Sequence, residues 1–283
     1  MIMTKAPFNY IGNKYRVINK IKEYFPQKIH TIVDLFCGGC DVTINTSAKI
    51  RYANDINFFV IEICKAFQNN TIDYLLYHID ETIKNWGLTK EDKEAYLKFR
   101  NYYNNTKNPL DLYVLICFSF NYQFRFNSSY EYNNPFGKSR SSFNEVMRKN
   151  LIEFKKRIDN VIFTDYDFVD FDYSVLKIGD FLYADPPYLI SCGTYNDGKR
   201  GFRGWTQNDD YDLLSILKKL SERGVLFALS NVLEHKGETN DFLLRWIADN
   251  NYIVHYIDFN YNNCNYQSSN RKNNTTEVLI TNY

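Results

Sequence analysis

The run "FLYADPPY", residues 181–188, ends in four residues whose types suit one kind of chemistry. Asp185 supplies a carboxylate that accepts hydrogen bonds. Pro186 and Pro187 fix the backbone and remove two N–H donors, so their carbonyls can point outward without a local competitor. Tyr188 adds a planar face. The combination fits a flat ligand bearing an amino group: Asp185 and the Pro186 carbonyl accept its two hydrogens while the ring stacks on Tyr188. The plainer alternative is a proline turn that merely ends a strand.

A second stretch, "DLFCGGC" from Asp34 to Cys40, can be read in two ways. Its cysteines form a CxxC pair, as in a redox centre or half a zinc site. Its glycines form a tight loop leaving a strand, which lets backbone approach a bound cofactor. The chain has no second CxxC, and no His stands near Cys37 or Cys40 in sequence. The glycine reading is therefore preferred, and no metal is expected.

The elements that must carry these residues alternate. "HTIVDLF" reads as a short buried strand ending at the glycines, "DVTINTSAKI" enters a helix, and "RYANDIN" is a strand ending at Asp55. Strand, glycine loop, helix and strand ending in an acid make the first half of a nucleotide-binding α/β sheet. "RVINKIKEYF" has helical spacing. The middle reads differently: "IDYLLYHIDETIKNW", "KEDKEAYLKFRNYYNN" and "PLDLYVLICFSFN" are successive helices, the last with Pro109 at or near its start. "QFRFNSSYEYNNPFGKSRSS" has the turn residues of a hairpin or ordered loop. Residues 63–157 are thus expected to be an inserted, mostly helical lobe, with 1–62 and 158–283 forming the sheet domain. After it come the strands "NVIFTDYDF" and "DFLYADPPY", and the helix "TQNDDYDLLSILKKLSERG", whose Thr206 and Asp209 resemble a capping box. The strand "VLFALSN" and the helix "NDFLLRWIADN" follow, and the strands "YIVHYIDFN" and "TTEVLITNY" close the sheet.

Composition sets bounds. The chain has 283 residues and a net charge of +1, with 45% hydrophobic and 24% charged residues, as in an ordinary globular protein. No apolar run approaches the ~20 residues that span a bilayer, and no signal peptide is read, so a cytoplasmic location with reduced cysteines is expected. Charge is uneven: from Arg125 to Arg157 eight Lys or Arg stand against three Glu. The loop 191–204 adds Lys199, Arg200 and Arg203 against Asp197. Such runs suit a polyanion, and equally a solvated surface.

These motifs together resemble the Dam-type (D12 class, alpha group) DNA adenine-N6 methyltransferases. The order is theirs: "NYIGNK" near the N-terminus, the glycine loop, an inserted lobe, then Asp185-Pro186-Pro187-Tyr188, which matches the catalytic motif without change. The resemblance implies a Rossmann-like S-adenosylmethionine (SAM)-dependent methyltransferase sheet with helices on both faces and a target-recognition lobe containing a hairpin. It implies that Tyr10, Gly12 and Lys14 help close over SAM, that Asp34, Phe36 and Gly38 line the loop, and that Asp55 binds the ribose hydroxyls. Asp167-Phe168 resembles the pair whose aromatic flanks the SAM adenine, and Asp185 also borders the cofactor. In the lobe, Asn121, Arg125, Asn127 and Pro135 fall on the segment that reads bases. Lys138, Arg140, Asn270, Arg271 and Lys272 are expected on phosphates. The loop from Lys199 to Trp205 has the glycine-rich composition of a lid over the target strand.

What the resemblance implies is transfer of a methyl group from SAM to N6 of an adenine flipped out of double-stranded DNA, by a monomer and without metal. Two departures stand out. The family loop F-x-G-x-G reads Phe36-Cys37-Gly38-Gly39-Cys40 here, and Asn121-Tyr122-Gln123 replaces the Asn-Gly-Leu of GATC-specific members, which leaves the target sequence open. Cys40 stands where the family has glycine, so its backbone is expected to avoid angles that only glycine favours. Two other readings remain open: a catalytically silent DNA-binding protein of the same fold, and a methyltransferase acting on a non-DNA amine or amide.

Overall fold

All four residues of strand β1 (Thr31–Asp34) are buried, so the sheet around it must be covered on both faces. The computed structural model, which describes residues 3–190, 202, 204–257 and 275–283, shows what covers it. In chain order, α1 (Ile18–Lys22) precedes β1, and α2 (Asp41–Asn45), β2 (Ile50–Asn54) and α3 (Phe58–Asn69) follow. Next come α4 (Ile72–Trp86), α5 (Lys93–Thr106), α6 (Pro109–Cys117) and α7 (Glu145–Ile158). The chain then returns through β3 (Val161–Thr164), β4 (Phe181–Ala184), α8 (Gln207–Glu222), β5 (Leu226–His235), β6 (Glu238–Thr239), α9 (Asp241–Asn250), β7 (Ile253–Tyr256) and β8 (Thr275–Thr281).

The strands form one sheet in the order β3-β2-β1-β4-β5-β8-β7, with β6 hairpinned onto β5. Strands β3 to β5 along this path are parallel, and β8 lies antiparallel between β5 and β7. Alternate residues face opposite covers, as the pleat requires. Ile32, Phe181, Tyr183, Ala228 and Leu279 pack with Ile18 and Ile21 of α1 and Val42 of α2. Val33, Leu182, Leu229 and Ile280 pack with Leu213 and Leu217 of α8 and Leu243 and Ile247 of α9. The register aligns Asp34 with Ala53 on one side and Tyr183 on the other. The ends of β1, β2 and β4, with the loops that leave them, therefore share one edge.

The lobe is built around α6. Every residue from Leu110 to Cys117 is buried, as expected of a helix apolar nearly all round, and the exception, Asp111, meets His78 Nε2 at 2.9 Å. Its start is fixed by Asn108, whose Oδ1 accepts the N–H groups of Leu110 and Asp111 at 2.9 and 3.2 Å, with Pro109 in the first turn. Helices α3, α4 and α5 pack against it. Helix α3 also touches β3 and α7, so one helix serves both the sheet and the lobe. The expected boundary after residue 62 falls inside it.

Helices α3 and α7 were not singled out in the sequence. The anticipated hairpin of the lobe is an ordered loop with two isolated antiparallel bridges, Ser119–Phe136 and Phe126–Tyr132. The capping box of α8 is complete: Asp209 Oδ2 accepts the Thr206 N–H at 2.7 Å and Thr206 Oγ1 accepts the Asp209 N–H at 3.4 Å. Among the described residues, no helix is long and apolar enough to cross a membrane.

Candidate active site at the carboxyl edge of the sheet

Strand β4 delivers Asp185 to the edge where α/β sheets hold ligands. Lys14 Nζ lies 2.7 Å from Asp185 Oδ2 and donates to Tyr188 Oη at 3.0 Å, while Tyr188 Oη donates to Asp185 Oδ1 at 2.7 Å. Three residues from two distant segments thus form a closed polar triangle. Burial, with the neighbouring Asp185 carboxylate next in weight, pushes the Tyr188 phenol well above its ordinary value, so the hydroxyl stays a donor. Pro186 is buried and Pro187 exposed.

The glycine loop follows β1. Gly38 (φ +47°) donates its N–H to Asp55 Oδ2 at 2.8 Å, and Asn57 N–H reaches Asp55 Oδ1 at 2.9 Å. A Cβ on Gly38 would come within 2.7 Å of the Tyr10 ring, which is why this position takes glycine. Tyr10 opens the turn that contains Gly12 (φ +80°), closed by Asn13 N–H on the Tyr10 carbonyl at 3.2 Å, and Tyr10 Oη accepts from Asn57 Nδ2 at 3.2 Å. Tyr10, Gly38 and Asp55, far apart in sequence, therefore meet. Asp34 is buried at the same edge, its Oδ2 accepting Thr43 N–H at 3.1 Å and Thr43 Oγ1 at 2.6 Å. Burial raises the carboxyls here: Asp34 well above its usual range, Asp55 to about 6 and Asp41 to about 7.

One expectation is overturned. Cys40 has φ +65° and ψ 19°, in the left-handed region that favours glycine. The chain must reverse between Cys37 and the start of α2, and Cys40 N–H closes that turn on the Cys37 carbonyl at 2.6 Å. The left-handed angle lets the backbone pass from this turn directly into α2, and a small side chain bears it at modest cost.

Phe168 and Phe36, 5.7 Å apart between centroids, lie at the edge beside the loop, and Trp205 meets both at 5.2 and 5.7 Å. Trp205 is held by its Nε1–H to Asp210 Oδ1 at 2.6 Å. Asp167 Oδ1 caps the same turn by accepting Val169 N–H at 3.3 Å.

The expected base-reading residues occupy the ordered loop of the lobe. Asn121 is exposed, with φ +54°, and Tyr122 follows at φ +55°. Arg125 is half-buried, and its Nε is buried with no hydrogen-bond partner among the described residues. Asn127 is committed to its own turn: Oδ1 accepts Ser129 and Glu131 N–H groups and Nδ2 donates to Glu131 Oε2 at 2.8 Å. The exposed Pro135 offers its carbonyl to Phe120 N–H at 2.7 Å. Lys138 and Arg140 are exposed, and Tyr122 Oη donates to the Arg140 carbonyl at 3.2 Å. Asn270, Arg271 and Lys272 lie outside the described residues, as does the expected lid apart from Phe202, Gly204 and Trp205.

Two asparagines that sequence reading missed complete the site. Asn54, buried at the end of β2, donates to the carbonyls of Leu35 and Tyr166 and accepts from Thr164 Oγ1 and Tyr166 N–H. It ties the loops after β1 and β3 together. Asn57, besides holding Tyr10, leaves Oδ1 buried with no hydrogen-bond partner among the described residues. Their only sequence signal is the pattern Asn54-Asp55-x-Asn57 at a strand end.

The order β3-β2-β1-β4-β5 of parallel strands, with β8 antiparallel between β5 and β7 and the polar site at the carboxyl edge, defines the SAM-dependent methyltransferase class of α/β fold. Within that class the chain belongs to the D12 class N6 adenine-specific DNA methyltransferase family, whose model matches residues 10–273. It is 49% identical over 281 residues to Modification methylase StsI of Streptococcus sanguinis, covering 99% of this chain and 43% of that protein. It is 46% identical over 281 residues to Type II methyltransferase M.FokI of Planomicrobium okeanokoites, with the same shares. To the DNA adenine methylase of Escherichia coli strain K12 it is 25% identical over 237 residues, 82% of each chain. The chain spans less than half the length of the first two relatives.

Proposed function

We propose that this chain transfers a methyl group from SAM to the exocyclic N6 of an adenine flipped out of double-stranded DNA, as a modification enzyme of a restriction–modification or phage-type system. The observation that carries the reading is the Lys14–Asp185–Tyr188 triangle beside the glycine loop.

The edge fits the cofactor: Asp55 stands at the end of β2, and the orphaned, buried Asn57 Oδ1 next to it suits a hydroxyl or amino donor. Tyr10, Gly12, Lys14, Asp34, Phe36, Gly38, Asp55, Asp167, Phe168 and Asp185 would hold SAM. When bound, SAM supplies an already activated methyl group. The protein's task is then alignment. Asp185 and the Pro186 carbonyl accept the two N6 hydrogens, which draws the nitrogen toward tetrahedral geometry and frees a lone pair otherwise delocalised into the ring. An incoming amino group competes with Tyr188 Oη for Asp185 Oδ1, while the Lys14 ammonium keeps the carboxylate in place from the other oxygen. The Tyr188 ring replaces the stacking that the base loses on leaving the duplex, worth a few kcal/mol. Asp185 need not be a strong base, since the methylated nitrogen sheds its proton readily.

Residues 63–157 form the target-recognition part in this reading, and the remainder is catalytic. Arg125 faces a base edge; Lys138 and Arg140 meet phosphates. The test is to express the protein in methylation-free cells and map N6-methyladenine across the genome by long-read sequencing. A methylated motif is expected. No methylation, with SAM still bound by the purified protein, would reject DNA adenine as the substrate.

A further inference from the structure

The CxxC of the glycine loop is joined in space by a third thiol. Cys40 Sγ lies 3.7 Å from Cys37 Sγ and 4.0 Å from Cys64 Sγ, the last projecting from α3. All three are buried, and Cys37 is the most accessible at 7%. Among the described residues, no group of three or more His, Cys, Asp or Glu side chains is arranged to hold a metal ion.

The backbone favours a different use. Cys37 and Cys40 are the first and last residues of a turn closed by the Cys40 N–H to Cys37 carbonyl bond of 2.6 Å. Such a turn holds its end Cα atoms within about 7 Å, and a disulfide needs about 4.4–6.8 Å. The two sulfurs must approach by somewhat under 2 Å to reach bonding distance, about 2.05 Å. Gly38 and Gly39 lie between them, so little side chain resists the adjustment.

We propose that Cys37 and Cys40 are an oxidisable dithiol, a modification site whose disulfide locks the glycine loop and withdraws it from its ligand. With a hydroperoxide as oxidant, the Cys40 thiolate attacks the peroxide oxygen. An S–O bond forms, the O–O bond breaks, and the peroxide leaves as hydroxide, taking a proton to become water. The Cys37 sulfur then attacks the resulting sulfenic sulfur. An S–S bond forms, the S–O bond breaks, and a second water carries off the Cys37 proton and the hydroxyl. Overall two thiols lose two electrons and the peroxide gains them. Cys40 suits the nucleophilic role because its sulfur lies within 4.0 Å of both others: its hydrogen bonds with Cys37 and Cys64 lower its thiol, whereas burial raises both neighbours.

The loop cannot move alone. Gly38 N–H is bonded to Asp55, Cys37 N–H to the Asn54 carbonyl at 2.8 Å, and the Tyr10 ring rests on Gly38. Drawing the sulfurs together shifts the groups that the proposed SAM site uses, so the effect on SAM rests on that reading, whereas the disulfide does not.

The experiment treats the purified chain with a small excess of hydrogen peroxide. It then maps disulfides by mass spectrometry without reduction, because Cys117, Cys192 and Cys264 also bear thiols. Hydrogen exchange of residues 34–41 and SAM affinity by calorimetry are measured before and after, and again after dithiothreitol. A Cys37–Cys40 disulfide, slower exchange in the loop and at least a tenfold loss of SAM affinity are expected, all reversed by dithiothreitol. In Cys37→Ala the exchange response should vanish. Free Cys37 and Cys40 thiols, a Cys40–Cys64 link, or a mapped disulfide with unchanged exchange would overturn the proposal. Reduced protein that fails to bind SAM would instead reject the functional reading, with mapping and exchange still deciding the disulfide.

Discussion

Apart from the orphaned Asn57 Oδ1 at the edge and the turn-bound Asn127 in the loop, the proposed catalytic edge and the proposed recognition loop spend their polar groups in opposite ways. At the edge, Asp185, Lys14 and Tyr188 satisfy one another, Asp55 takes two backbone N–H groups, and Asn54 makes four hydrogen bonds. In the loop, Asn121, Lys138 and Arg140 stand exposed, and Arg125 keeps a buried Nε with no partner among the described residues. Backbone strain divides in the same way. Of the non-glycine residues with positive φ, Asn121, Tyr122, Tyr130 and Ser139 all lie in the loop, while the edge has Cys40. On the proposed function, chemistry that every turnover repeats is set by groups already in place, which cost no reorganisation. Reading a partner surface needs donors left over for it.

This contrast can be broken by four measurements, from the largest expected effect to the smallest. Asp185→Ala should lower single-turnover methylation by roughly 10²–10³ or more, because it removes an aligned acceptor from a water-poor site. DNA affinity in a filter-binding assay should change little, and retained turnover would show that the triangle is only structural. Arg125→Ala should cost about 1–3 kcal/mol at the preferred site and relax sequence preference. Uniform weakening across sequences would move Arg125 to the phosphates. Removing Lys138 and Arg140 together should weaken all sequences alike and flatten the dependence of log affinity on log salt by about one for each charge.

The smallest effect concerns pH. Burial lifts Asp41 to about 7 and Asp55 to about 6, so the folded chain holds protons that the unfolded chain releases at ordinary carboxyl values. The associated stability is fully present below the unfolded value of 3.8 and is lost as pH rises through 6 and 7. The melting temperature should fall by a few degrees from about pH 5 to about pH 8. Asp41→Asn, which keeps an oxygen for the Ala6 N–H that Asp41 Oδ1 accepts at 3.2 Å, should lessen that fall.

Much of this arrangement could be read from sequence, for identifiable reasons. Pro186, Pro187, Gly38 and the strand-ending acids restrict the backbone or place a charge by type and spacing alone. Pro109 and Thr206 marked helix starts in the same way. Helix α3 has no clear signature in the sequence because buried Phe59, Val60, Ile61, Ile63, Cys64 and Phe67 cover more than one face and blur the helical stripe. Helix α7 does carry a stripe of Leu151, Phe154 and Ile158, but it lies in a basic run whose charge masks the apolar spacing. The clamps of Asn54 and Asn57 and the seat of Trp205 depend on loops brought together by the sheet, which no local pattern encodes. The Cys40 angle failed for a related reason: the left-handed turn belongs to the passage into α2, whichever small residue occupies it.

Helix α3 bears on how such enzymes can be recombined. Its cap residue Asn57 holds Tyr10 at the sheet edge, Phe59 stacks on Phe126 of the ordered loop of the lobe at 3.7 Å, and the helix packs on β3. A chimaera that exchanges specificity by cutting between residues 62 and 63 would sever this strut in mid-helix and mate two unmatched faces. Grafts that carry 58–158 as one cassette keep the strut intact, and the junctions then fall in the short connections before α3 and after α7.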